Sequence, residues 1–175
     1  MPREATAYTV VIASPGDAET ERKALAEVVH AWNATNSAAT GIVLLPVGWE
    51  IHSTPDTGQV QVIRDADMLV GVFWTRLGAP TREAESRTID EIDRFRKAGK
   101  HVVLYFSDAP AISGKANRER YERLEDYRAR CQRDGSADRY DSVAELGEKF
   151  DRHLTSLARD FRAEGEKLVA DLIAR

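Results

Sequence analysis

The sequence has almost no cysteine. Its single one, Cys131, excludes an internal disulfide and any cysteine-built metal site. It also lacks basic excess: 25 Lys and Arg against 29 Asp and Glu leave a formal net charge of -4. No basic stripe of the kind nucleic acids need is visible, which argues against DNA or RNA as a partner. No apolar run approaches the roughly 18 to 20 residues of a membrane span. Met1 to Ala7 does not follow the basic-then-apolar order of a signal peptide. The expectation is a cytoplasmic protein with no membrane partner.

Nucleotide signatures are missing too. No G-x-G-x-x-G follows the first apolar run, and no G-x-x-x-x-G-K-[ST] occurs anywhere. A phosphorelay receiver would carry acidic residues at the end of its first strand, where this chain has Ala13-Ser14. His30, His52, His101 and His153 are scattered without ligand spacing, so no metal is expected.

What is present is an alternation of strand and helix patterns. Tyr8 to Ala13, Ile42 to Val47, Met68 to Trp74 and His101 to Phe106 are short runs rich in β-branched residues, read as buried strands. Pro46 places the second at a sheet edge. A weak strand is expected around Asp138 to Tyr140. Between them the spacing predicts helices from Ala18, over about two turns of Gln59 to Ala66, over Ile89 to Ala98 with Gly99 as the stop, and over Asn117 to Gln132. A final amphipathic helix starts at Ser142, with Val143, Leu146, Phe150, Leu154, Leu157, Phe161, Leu168 and Leu172 on one stripe. Alternation of this kind implies right-handed crossovers and a mostly parallel sheet. The expected fold is α/β, a three-layer flavodoxin-like or TIR-like arrangement. Its organisation is an α/β domain over residues 1–141 and a C-terminal helix over 142–175, packing on the domain and then projecting. The projecting part reads either as a frayed charged tail or as a dimerisation arm; we expect a homo-oligomer, with room for a fused or partner subunit.

In open parallel sheets ligands bind outside the carboxyl ends of the strands. One segment there, Ser86-Arg87-Thr88-Ile89-Asp90-Glu91-Ile92, carries a double meaning. As structure, Thr88 and Glu91 form a capping box, with Thr88 as N-cap and Glu91 reaching back to its amide. As chemistry, Glu91 is a carboxylate near the positive end of a helix dipole, which favours its ionised form.

Ser86 to Ile92, followed by Gly99-Lys100, resembles the signature of nucleoside 2-deoxyribosyltransferase-like domains, relatives of the TIR domains that cleave NAD. Ser14-Pro15-Gly16-Asp17 with Glu21-Arg22, the run Val72 to Thr81 (VFWTRLGAPT) and Leu104-Tyr105-Phe106-Ser107 are similar to a bacterial TIR-like family of unknown function. Arg87 stands where the pattern usually has glycine, and the helix before the third strand is short. The resemblance implies an α/β fold, modules of bacterial immune or signalling systems, and Glu91 as catalytic carboxylate. Cleaving an N-ribosyl bond builds positive charge at the anomeric carbon, which a carboxylate stabilises. Nicotinamide leaves a pyridinium riboside as a neutral base, so the acid that O-glycosidases require is unnecessary.

Candidate substrate contacts are Ser14 and Asp17 for ribose or phosphate, Trp74 for stacking on a base, Arg76 for a pyrophosphate, and Ser86, Arg87 and Thr88 around Glu91. Each has an ordinary alternative: Ser14 or Asp17 caps the first helix, Trp74 fills space under a loop, Arg76 pairs with a surface carboxylate. No cofactor is expected, with NAD as a substrate rather than a bound group. Three functions stay open: an N-ribosyl hydrolase acting on NAD or a related nucleotide, a non-catalytic TIR-like interaction module, and a nucleoside transferase or nucleotide binder.

Overall fold

The structure is a computed structural model that describes residues 4–50, 63–78, 87–110 and 115–173. Five strands form one sheet: β1 (Thr6–Ser14), β2 (Ile42–Glu50), β3 (Met68–Phe73), β4 (His101–Ser107) and β5 (Ala137–Tyr140). Their order is β2-β1-β3-β4-β5 and every pairing is parallel. This is the doubly wound flavodoxin-like order, whose direction reverses between β1 and β3. The expectation of a mostly parallel sheet is met by one that is wholly parallel.

The helices are α1 (Glu19–Thr40), α2 (Arg87–Lys97), α3 (Lys115–Arg133) and α4 (Val143–Ile173), with a short 3-10 turn at Gly16–Ala18 ahead of α1. Of the helix expected over Gln59 to Ala66, residues 63–65 are helical and the part before Ile63 lies outside the described residues. Strand residues alternate between two cores because both sheet faces are covered. Val10 and Ile12 join Leu25, Val29 and Trp32 of α1 and Leu146, Phe150 and Leu154 of α4. Val11 and Ala13 join Ile89, Ile92 and Phe95 of α2 and Leu124, Tyr127 and Cys131 of α3. Gly71 of β3 lets the second layer close: a Cβ there would stand 2.7 Å from Leu104 Cδ2 and 3.5 Å from Ile92 Cδ1.

Helix stops follow the glycine rule. Gly99 has φ +69°, and Lys100 and Gly99 donate to the Phe95 and Arg96 carbonyls, a Schellman ending. α4 has 31 residues, about 46 Å. Its stripe from Leu146 to Phe161 is buried within this chain, and Tyr8 stacks on Phe161 with ring centres 4.1 Å apart. The side chains of Leu168 and Leu172 lie outside the described residues.

Both edges of the sheet are blunted. On β2, Leu44 donates its N–H to Asn33 Oδ1 (2.9 Å) and accepts from Asn33 Nδ2 (2.7 Å), so an α1 side chain stands in for a neighbouring strand. Ile42 N–H donates to Thr40 Oγ1 at 3.2 Å, and Pro46, two residues beyond Leu44, has no N–H to offer. On β5, Arg139 N–H donates to Asp138 Oδ1 at 2.7 Å, and Lys149 donates to the Arg139 carbonyl. These are the devices by which natural sheets avoid pairing with other chains.

Candidate functional site at the carboxyl edge

β1 ends at Ser14, which is fully buried, and its Oγ accepts from Arg22 Nη1 of α1 at 2.8 Å. The chain then turns through Pro15 and brings Asp17 over the point where strand order reverses. Asp17 Oδ2 accepts from the Thr75 N–H (3.0 Å) and the Thr75 hydroxyl (2.6 Å), and Oδ1 accepts from Arg76 Nε (3.2 Å). Both oxygens are thus engaged in tying the loop after β3 to the loop after β1. Neither Ser14 nor Asp17 caps α1: the N-cap is Ala18, with no side-chain cap bond. Arg76 does pair with a carboxylate, that of Asp17, across 59 positions of sequence.

Trp74 follows β3 directly. It is half-buried, packs against the α1–α4 core, and its indole Nε1 is buried without a hydrogen-bond partner. Thr88 is fully buried and its Oγ1 likewise has no partner. The expected capping box is therefore not formed. α2 already includes Arg87, so Thr88 lies inside the first turn, where its hydroxyl does not face the orphan amides that an N-cap serves. Glu91 is the fifth helical residue, on the flank of the buried stripe Thr88–Ile92–Phe95; its side chain is 14% exposed. Arg94 Nη1 donates to its Oε1 at 3.1 Å, from a side chain that is 59% exposed. With one partner largely in solvent, this pair is worth little. Of the other candidates, Ser86 and the side chain of Arg87 lie outside the described residues.

Two groups at this edge went unnoticed in the sequence. Tyr140, the last residue of β5, is 2% exposed; its hydroxyl makes no hydrogen bond of ordinary geometry, though the side chains of Ser107 and Glu21 act on it. Its strand was legible, but nothing local marks these distant neighbours. Asp108, just past β4, accepts from the nearly buried Arg128 Nη2 (2.7 Å) and from Arg139 Nη2 (2.6 Å). The Arg139 hydrogen bonds, then those of Arg128, hold its carboxyl below the ordinary range against the cost of burial. Partners 20 and 31 residues away leave no sequence pattern to read.

Among the described residues, two cavities lie away from this edge. One of about 230 Å³ is lined by Val102, Ser136, Asp138 and His153; another of about 350 Å³ lies at the amino end beside Thr6, Tyr8, Ile42 and Phe161. The Tyr105 hydroxyl and His153 Nδ1 share a hydrogen bond, and burial pushes the His153 pKa down. Among the described residues no group of three or more His, Cys, Asp or Glu side chains is placed to hold a metal. No helix among them is long and apolar enough to cross a membrane.

The family model described as Domain of unknown function (DUF4062) matches residues 9–155. None of the curated proteins matches the chain. Among solved structures it is similar to the RPS4 and RRS1 TIR domain heterodimer at 13% identity and TM-score 0.49, covering 86% of this chain and 97% of that one. It is also similar to the flavodoxin, WrbA-like protein from Agrobacterium tumefaciens at 13% identity and TM-score 0.45, covering 89% of this chain and 99% of that one. Likenesses of this size add nothing to what the strand order establishes.

Proposed function

This chain belongs to the family of the domain of unknown function DUF4062, and on that premise we propose that it is a TIR-like N-ribosyl hydrolase cleaving NAD or a related nucleotide at the carboxyl edge of its sheet. One observation carries the reading. Trp74 Nε1 and Thr88 Oγ1, two buried polar atoms without partners, stand at the end of β3 and the start of α2, with Glu91 one turn past Thr88. Unmet buried polar groups are rare and costly, and this edge is where α/β sheets hold ligands.

In the reaction the bond between the anomeric carbon and the pyridinium nitrogen breaks, and its electron pair stays on nicotinamide, which leaves neutral. The Glu91 carboxylate stabilises the positive charge left on the ribose. Water adds to that carbon and releases its proton to solvent. Trp74 and Thr88 offer hydrogen bonds for positioning. Asp17 and Ser14 fix the loops, and Arg76 keeps its terminal nitrogens for a phosphate.

The test is nicotinamide release from NAD by the full chain, at several protein concentrations. Glu91→Gln keeps the shape and removes the charge, so turnover should fall at least about 10²-fold, the scale on which removing a single electrostatic stabiliser acts. Melting temperature should change little. Equal rates would exclude Glu91 from the reaction.

The Asp17–Thr75–Arg76 clamp favours a second reading. It engages groups that would otherwise face an anion, as expected of a TIR-like interaction module. A wild type that releases no nicotinamide at any protein concentration would decide for that module.

A further inference from the structure

We propose that Thr75 and Arg76 form a phosphate site that the chain fills with its own Asp17, so that a nucleotide phosphate binds by displacing this carboxylate; the proposal rests on the nucleotide reading above. The donor set is the first support. The Thr75 N–H and hydroxyl converge on Asp17 Oδ2 at 3.0 and 2.6 Å, and Arg76 Nε reaches Oδ1 at 3.2 Å. A backbone amide, a hydroxyl and a guanidinium aimed at one anion are the groups that hold phosphate oxygens. All three belong to two consecutive residues just past β3, whereas Asp17 comes from the loop after β1.

The second support is the strength of the hold, which is the weaker of two at this edge. Asp108 is gripped by Arg128 Nη2 at 2.7 Å and by both Nε and Nη2 of Arg139 at 2.6 to 2.9 Å. Arg76 gives Asp17 its Nε alone, and among the described residues nothing engages its two terminal nitrogens. Its side chain is 31% exposed, so an anion reaches those nitrogens from solvent. Phosphate takes a guanidinium through two nitrogens at once, a grip that Asp17 lacks.

The chemistry selects the ligand. Every group that Thr75 and Arg76 present here is a donor, and one of them is charged. A cation finds no acceptor among them, and a neutral sugar hydroxyl cannot outbid a carboxylate for the guanidinium. Only another anion competes, and a phosphate brings more charge and more oxygens than Asp17 does. Apparent affinity is then the intrinsic affinity reduced by the fraction of time that Asp17 is away. In the resting chain the same contact ties the loops after β1 and β3 together, so phosphate binding also releases one loop from the other.

The experiment is calorimetric titration with ADP-ribose and with inorganic pyrophosphate, beside thermal melting. Asp17→Asn and Asp17→Ser both remove the charge that holds Arg76. Each should melt below wild type yet bind ADP-ribose at least about tenfold more tightly, the scale of the charged hydrogen bond that wild type must first give up. Adding Arg76→Gln should erase the gain. Glu19→Gln removes an equal charge from the neighbouring turn, where it pairs with Lys23 in solvent, and should change affinity by less than about twofold. Asp17 variants that bind no more tightly than wild type overturn the proposal, as does a gain that Glu19→Gln matches. A gain for pyrophosphate but not for ADP-ribose overturns the nucleotide as the ligand. None of these outcomes touches the Glu91 reaction, which nicotinamide release tests by itself.

Discussion

The two ends of the sheet are built on different terms. At the amino end polar groups find partners inside the chain. Asp67 Oδ2 accepts from the Thr9 N–H at 2.7 Å while the Asp67 N–H donates to the Thr9 carbonyl at 3.0 Å. Lys100 Nζ donates to the Arg64 and Ala66 carbonyls at 2.7 and 2.6 Å, and Thr6 N–H donates to the Gly41 carbonyl at 2.8 Å. At the carboxyl end Trp74 and Thr88 each keep a buried polar atom unmet. Tyr140 Oη has the side chains of Ser107 and Glu21 beside it, and Tyr127 Oη is interior, against Phe73 and Phe106. The carboxyl end has its own pairings, at Asp17 and Asp108, yet beside them it leaves buried polar atoms unmet. Local violations of polar satisfaction are the places where a fold gives up stability for function.

Mutations at the two ends should therefore move stability in opposite directions. The largest effect is expected at Asp67, whose carboxylate makes a charge-assisted bond across the amino ends of β1 and β3. Asp67→Ala strands the Thr9 N–H and should cost about 2 to 3 kcal/mol, on the scale of hydrogen bonds to charged groups. Urea unfolding would show this as a lower midpoint with an unchanged slope; a loss well below 1 kcal/mol would dissolve the contrast between the two ends.

Next comes Asn33, which satisfies both backbone groups of Leu44 on the β2 edge. Asn33→Ala should cost roughly 1 to 2 kcal/mol, two ordinary hydrogen bonds partly replaced by water. It also reopens an edge beside Leu45, which is 46% exposed, so concentration-dependent association should rise. Light scattering that stays unchanged would mean that Pro46 and Thr40 protect the edge without Asn33.

The sequence made the strands legible because each is a short β-branched run, and Pro46 marked the edge strand because a ladder interior cannot hold it. Boundaries were less legible where long-range bonds extend an element. β1 begins at Thr6 rather than Tyr8, and Thr6 reaches the Gly41 carbonyl, which no local pattern shows. Two similar signals had opposite outcomes. Thr88-Ile89-Asp90-Glu91 fits a capping box and does not form one. Ser142-Val143-Ala144-Glu145 does cap its helix: the Glu145 N–H donates to Ser142 Oγ at 3.2 Å, and Glu145 Oε2 reaches back to the Asp141 N–H at 2.7 Å. The difference lies upstream, since α2 already includes Arg87 whereas α4 begins at Val143, the residue after its cap. The placing of Glu91 near the start of a helix at the carboxyl edge followed from strand–helix alternation alone. The Asp17 clamp and the Tyr140 hydroxyl depend on contacts between distant segments, so only the folded chain reveals them.

The smallest effect, and the one opposite in sign, belongs to Thr88. Valine has nearly the same shape as threonine and replaces its hydroxyl by a methyl group. In an ordinary buried site that exchange costs stability, because a satisfied hydroxyl loses its bond. Here Oγ1 has no bond to lose, and the desolvation of that hydroxyl is uncompensated in the folded chain. Helix propensity is close to neutral for the pair, both being β-branched. Thr88→Val should therefore leave stability unchanged or raise it by up to about 1 kcal/mol. If the hydroxyl serves a ligand near Glu91, the same variant should bind ADP-ribose more weakly than wild type although it is no less stable. A variant clearly less stable than wild type would show that Thr88 Oγ1 is satisfied in solution. The carboxyl edge would then lose one of the two unmet groups that set it apart from the amino end.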